Sequence, residues 1–177
     1  MGDSAMAVVA IFLAAILMFV FPLMTMADKK DDVSTLAVQT ATNDFTDSIR
    51  TTGVITQDKY DNFVQTLAAT GNSYEVEMSV QKLDENPAKK TTSVDGTIGD
   101  NIYYTMYTSQ ILEAIAPTPT NPNQALVLKE GDIVSVNVKN TNVTIGQQLR
   151  NFMYKVTGNN SSTVAASASG IVTTNGN

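Results

Sequence analysis

Between Asp3 and Asp28 the chain carries no charge. Ser4 to Ala27 contains no Asp, Glu, Lys or Arg, and nearly every residue is Ala, Val, Ile, Leu, Met or Phe. As a helix rising ~1.5 Å per residue, this run spans roughly 36 Å, enough to cross a ~30 Å hydrocarbon core with some tilt. The rest of the chain is polar and acidic and has no second such run. The pattern predicts a single-pass anchor over 1–27 followed by one polar domain over 28–177.

The start differs from a cleavable signal peptide. Met1-Gly2-Asp3 offers an acid and no Lys or Arg, and the apolar run is longer than the ~7–15 residues of an ordinary signal core. Thr25-Met26-Ala27 does supply small residues before Asp28, but a retained anchor is the expectation. Lys29 and Lys30 sit among Asp28, Asp31 and Asp32, so the flanking charge specifies orientation weakly.

Composition narrows the function. The chain has no His, Cys or Trp. That removes imidazole acid–base chemistry, thiol nucleophiles, the usual zinc ligand sets and disulfides. With 11 Lys and Arg against 17 Asp and Glu, net charge is −6, the opposite of a nucleic-acid footprint. Asp95 and Asp100 lie in a glycine-containing polar stretch, but their spacing matches no calcium loop. No paired carboxylates and no Ser/Lys set stand out as catalytic. The expectation is a non-enzyme without cofactor or metal.

Past the charged cluster, Val33, Leu36, Ala37, Ala41, Phe45 and Ile49 recur at three- and four-residue intervals, predicting an amphipathic helix over 28–51 ended by Gly53. Pro22 interrupts the membrane part and removes one helical hydrogen bond. A second helix opens at Thr56 as N-cap, with Ile55 and Tyr60 as a hydrophobic staple. Its expected inward face is Tyr60, Phe63, Val64, Leu67 and Ala68, with Gly71 at C′.

From Ser73 the period becomes two: Tyr74, Val76, Met78 and Val80 alternate with polar residues, which predicts a half-buried antiparallel strand. Residues 84–100 read as a polar loop. Residues 102–116 read as a third helix with Met106, Ile111, Leu112 and Ile115 inward, against the β preference of Tyr103, Tyr104 and Tyr107. These tyrosines are expected in core or interface packing rather than on an adhesive surface. Pro117, Pro119 and Pro122 predict an extended linker.

A hairpin is expected next, from Ala125–Leu128 through Lys129-Glu130-Gly131-Asp132 into Ile133–Lys139. Thr144 and Gln147 form a capping box for a short helix with Ile145, Leu149, Phe152, Met153 and Val156 inward. Ser162 to Thr174 reads as a terminal strand. The sequons at Asn142, Asn159 and Asn160 are read as turn and cap residues.

A long N-terminal helix, membranous in its first half and packed on a small antiparallel sheet in its second, resembles the type IV pilins and pseudopilins. TadE-like pseudopilins of tight-adherence (Tad) pili and firmicute proteins of the same layout are the nearest in appearance. Asp3, the run 4–27, Pro22 and the continuation 33–49 carry the resemblance, with Gly131-Asp132-Ile133-Val134-Ser135-Val136-Asn137-Val138 adding to it. It implies an α+β, pilin-like fold and a structural subunit. The subunit would polymerise with itself or join pilus assembly proteins, with lipid around the anchor beforehand and an extracytoplasmic domain that reaches the cell surface.

It also implies the assembly residues. Pilins carry a basic leader and a glutamate in the apolar run; here Met1-Gly2 stands before Asp3 and the run holds no Glu, so Asp3 would take the acid's role by pairing with a neighbouring subunit's amine. Read by itself, Asp3 sits before the apolar run and is by default a charge at the membrane interface. Pro22 is either a packing kink or a tolerated membrane proline. Ala10 and Ala14 form a small-xxx-small pattern that lets helices approach, with Ala7 and Ala15 nearby. Met6, Met18, Met24 and Met26 read as lipid-facing or helix-packing side chains. The alternative to a filament subunit is a monomeric membrane-anchored binding module built on the same domain.

Overall fold

A computed structural model describes residues 2–83, 103–144, 148 and 164–176. The expected loop over 84–100 with Asp95 and Asp100, most of the expected helix over 144–156, and Asn159 and Asn160 lie outside the described residues. The fold is α+β: one long N-terminal helix and a small antiparallel sheet. The chain forms two compact units, one of residues 1–36 and 142–162, the other of 37–141 and 163–177.

Helix α1 (Gly2–Thr52) is continuous through Pro22 and ends where Gly53 takes φ +65°. The Gly53 N–H still reaches Ile49 O at 2.8 Å, so a left-handed residue closes the last turn. Three of the positions expected inward are not. Val33 and Leu36 are exposed, as is Ala37. In the larger unit the buried line of α1 is instead Val38, Thr42, Phe45, Thr46 and Ile49. The threonines are tolerated there because each hydroxyl donates to its own helix, Thr42 to Val38 O at 2.7 Å and Thr46 to Thr42 O at 2.8 Å. A buried hydroxyl costs little once bonded, so counting apolar residues alone found Ala41, Phe45 and Ile49 but passed over the threonines between them.

Strand β1 (Val54–Thr56) leads into α2 (Gln57–Ala68), and the Thr56 hydroxyl accepts from Lys59 N at 3.2 Å as the N-cap. Phe63 and Leu67 are buried and Tyr60 packs against the core, but Val64 and Ala68 face solvent. With 3.6 residues per turn, a helix this short buries a narrow stripe, and 64 and 68 fall on its flank. Gly71, at φ +81°, lies beyond the cap residue Ala69 rather than at C′, because the helix finishes through a tighter turn in which Gly71 N donates to Ala68 O.

Strands β2 (Tyr74–Leu83), β3 (Tyr103–Tyr107), β5 (Ile133–Asn140) and β6 (Val164–Ile171) form one antiparallel sheet in the order β3-β2-β5-β6. The expected helix over 102–116 is therefore half strand: the tyrosine-rich part is β3 and only α3 (Thr108–Ile115) is helical. β-favouring residues with a partner edge available prevail over the apolar spacing. Tyr104 and Tyr107 are exposed, so of the expected core or interface packing the core is excluded for those two; Tyr103 is half-buried.

The expected hairpin also differs. β4 (Ala125–Val127) pairs with β1, not with β5. The turn Lys129–Asp132 forms, with Asp132 N donating to Lys129 O at 3.1 Å, but it carries the chain from the small ladder into the large sheet. Asp132 fixes this passage. Its buried carboxylate accepts from Leu83 N and Lys129 N, each at 2.9 Å. The proline segment is not uniformly extended either: Thr118 and Asn121 exchange two backbone hydrogen bonds around a tight turn.

On the inner face of the sheet, Val76, Met78 and Val80 of β2 lie opposite Val138, Val136 and Val134 of β5, and these lie opposite Ala166, Ala168 and Gly170 of β6. The side chains shrink toward β6, and at Gly170 the end of α1 closes on that strand. A β-carbon at Gly170 would overlap the Arg50 side chain, whose Nε donates to Ile171 O at 3.0 Å. Val38, Phe45 and Ile49 from α1, Phe63 and Leu67 from α2, and Ile111 and Ile115 from α3 complete one core.

Candidate assembly helix

The first part of α1 is apolar all round, and its described side chains from Ser4 to Phe19 are all exposed. Met6 is 73% exposed, Phe12 71% and Met18 77%. Among the described residues, this is the one helix long and apolar enough to cross a membrane. A helix suits that solvent because each backbone N–H finds a carbonyl within the segment. Pro22 lacks the N–H that Met18 O would accept, and its own position is exposed. Next to it, the Thr25 hydroxyl donates to Phe21 O at 3.0 Å, so that side chain adds no unsatisfied polar group to the apolar stretch.

The four expected assembly residues all fall on α1. Helical periodicity places positions 3, 7, 10 and 14 along one face, so the backbone of Asp3 begins the stripe that Ala7, Ala10 and Ala14 continue. Ala10 and Ala14 are exposed, one turn apart, and present a shallow surface. Pro22 lies about 100° around the helix from position 3, off that stripe. Ala15 and Met24 are off it as well. The charged cluster beyond the run is tied into its own unit: Thr144 Oγ1 donates to Asp31 Oδ2 at 2.8 Å, and Gln148 N donates to Thr144 O at 2.9 Å in helical register.

One anchoring residue escaped the sequence reading. Arg50 holds Asp47 at 2.7 Å and Ile171 O at 3.0 Å, and its own carbonyl accepts from Thr173 N at 2.9 Å. A lone arginine in the last turn of a helix was its only sequence signal.

Among the described residues no group of acids could hold a metal ion. No protein-family model, no curated protein and no solved structure matches the chain. Function therefore rests on the physical character of the helix and of the domain that follows it.

Proposed function

We propose that the chain is a pilin-like structural subunit, assembling through its N-terminal helix into a surface filament or a pilus-type secretion machine. The observation that carries this reading is the all-round exposed apolar surface of α1, with a stripe of small side chains running from the position of Asp3. Lipid tails solvate that surface in the membrane. On assembly, copies of the same surface bundle, with Ala7, Ala10 and Ala14 admitting close approach. Asp3 would then meet a neighbour's amine inside the bundle, where an unpaired charge is costly. The antiparallel sheet and its loops form the outer, extracytoplasmic surface. Catalysis plays no part in this role.

Electron microscopy of sheared surface material, with mass spectrometry of the mature N-terminus, tests the proposal. Filaments containing a chain that retains the run 4–27 support it. A mature chain beginning at Asp28 would remove it, and a membrane-resident protein that never assembles would leave the anchored binding module.

A further inference from the structure

A groove of about 280 Å³ runs between the last part of α1 and α2. It is floored by Phe45 and Phe63, whose rings stack with centroids 4.4 Å apart and planes 3° from parallel. The α1 wall contributes Asp44 and Ser48, and the α2 wall contributes Lys59 and Asn62. The side chains of Asp44, Ser48 and Asn62 form no hydrogen bond or ion pair with any described residue. Asp44 and Lys59 line the same groove without pairing with each other. Lys59 instead donates to Thr52 Oγ1 at 2.6 Å and Val54 O at 3.0 Å. That holds its ammonium in place and leaves one of its three donors.

An apolar floor with a few convergent polar groups is the usual make-up of a small-molecule site. The two opposite charges on facing walls specify a ligand that carries both. We propose that this groove binds a small zwitterion with a flat apolar side chain, of the aromatic amino-acid class. The carboxylate meets the remaining Lys59 donor and the Ser48 and Asn62 side chains. The ammonium meets Asp44, and the ring lies against the Phe45–Phe63 floor. This site belongs to the polar domain and does not depend on whether the chain forms filaments.

The chain has no Trp, so the emission of added L-tryptophan reports on the probe alone. The full chain in lipid nanodiscs, titrated with L-tryptophan against empty nanodiscs, should give a saturable blue shift, with a Kd of about 0.1–1 mM for a ligand of that size. Indole, which lacks both charges, and tryptamine, which lacks the carboxylate, should each bind at least tenfold more weakly. Asp44→Asn should weaken L-tryptophan tenfold or more without moving the melting temperature, since the Asp44 side chain bonds to no described residue. Asn62→Ala provides a second exposed variant with the same expectation of weakened binding. An unsaturable shift, equal binding of indole, or full affinity in both variants would overturn the proposal. So would loss of the shift as protein concentration rises, which would mean a second copy fills the groove.

Discussion

Gly53 and Gly176 cross with no room for a side chain on either. A β-carbon on Gly53 would lie 2.5 Å from Gly176 N, and one on Gly176 would lie 2.9 Å from Val54 Cγ2 besides overlapping Gly53 O. The crossing joins three segments: Leu128 N donates to Gly53 O at 2.8 Å and Gly176 N donates to Leu128 O at 2.9 Å. Gly53→Ala must also hold φ +65°, which costs an L residue ~1–2 kcal/mol before any backbone is displaced.

We expect Gly53→Ala and Gly176→Ala each to destabilise the domain by at least ~2 kcal/mol, through crowding that backbone atoms cannot relieve. Gly71→Ala and Gly131→Ala share the positive φ, but their β-carbons enter open space, so they should cost only the ~1–2 kcal/mol of that conformation. Thermal denaturation of the four variants checks the ranking; equal losses would mean the crossing is looser than described.

Asp132 ties three parts of the chain together. Its carboxylate serves the N–H groups of Leu83 and Lys129, and its backbone carbonyl accepts from Val172 N at 2.8 Å. Asp132→Ala strands two donors at a buried position, at ~1.5–3 kcal/mol for each bond to a charged group. Chemical denaturation should show a loss of several kcal/mol, with Asp132→Asn intermediate because it restores one acceptor.

Tyr60 offers a test by pH. Burial, followed by the nearby Asp61 charge, raises its phenol above the ordinary value of 10.0. The unfolded chain loses that proton first, so the stability it contributes is fully present below pH 10 and is lost as pH rises through the folded value. Ultraviolet titration should find Tyr60 ionising above pH 10, and Tyr60→Phe should remove that step.

The anchor is tested at its centre. Leu13→Arg or Ile16→Arg should cost ~2.5–3.5 kcal/mol of insertion and release or deplete the protein. Membrane fractionation reads the result, and normal accumulation in membranes would contradict the spanning assignment.

The proposed filament is tested at Asp3. If that acid meets an amine within a bundle, Asp3→Ala removes one partner of a buried pair, at ~3–5 kcal/mol. We expect a folded, membrane-resident protein that yields no shearable polymer. Assembly equal to the parent would exclude the pairing.

How much was legible follows from where each signal resides. The apolar run, the glycine that ends α1, the Thr56 cap and the alternation in β2 and β5 are local. Each is a matter of which side chains adjoin along a few turns or residues, and composition together with period determined them. What tertiary structure decided is pairing and phase. β4 joins β1, seventy residues earlier in the chain, because Leu128 N finds Gly53 O and Asp132 directs the next strand elsewhere. Residues 103–107 become strand because β2 presents an edge. The absence of a side chain at Gly170 is explained by Arg50 above it, and the buried line of α1 runs through Thr42 and Thr46 because their hydroxyls are satisfied within the helix. None of these is readable from a neighbouring residue: each depends on which distant group arrives, and that is settled only when the core closes.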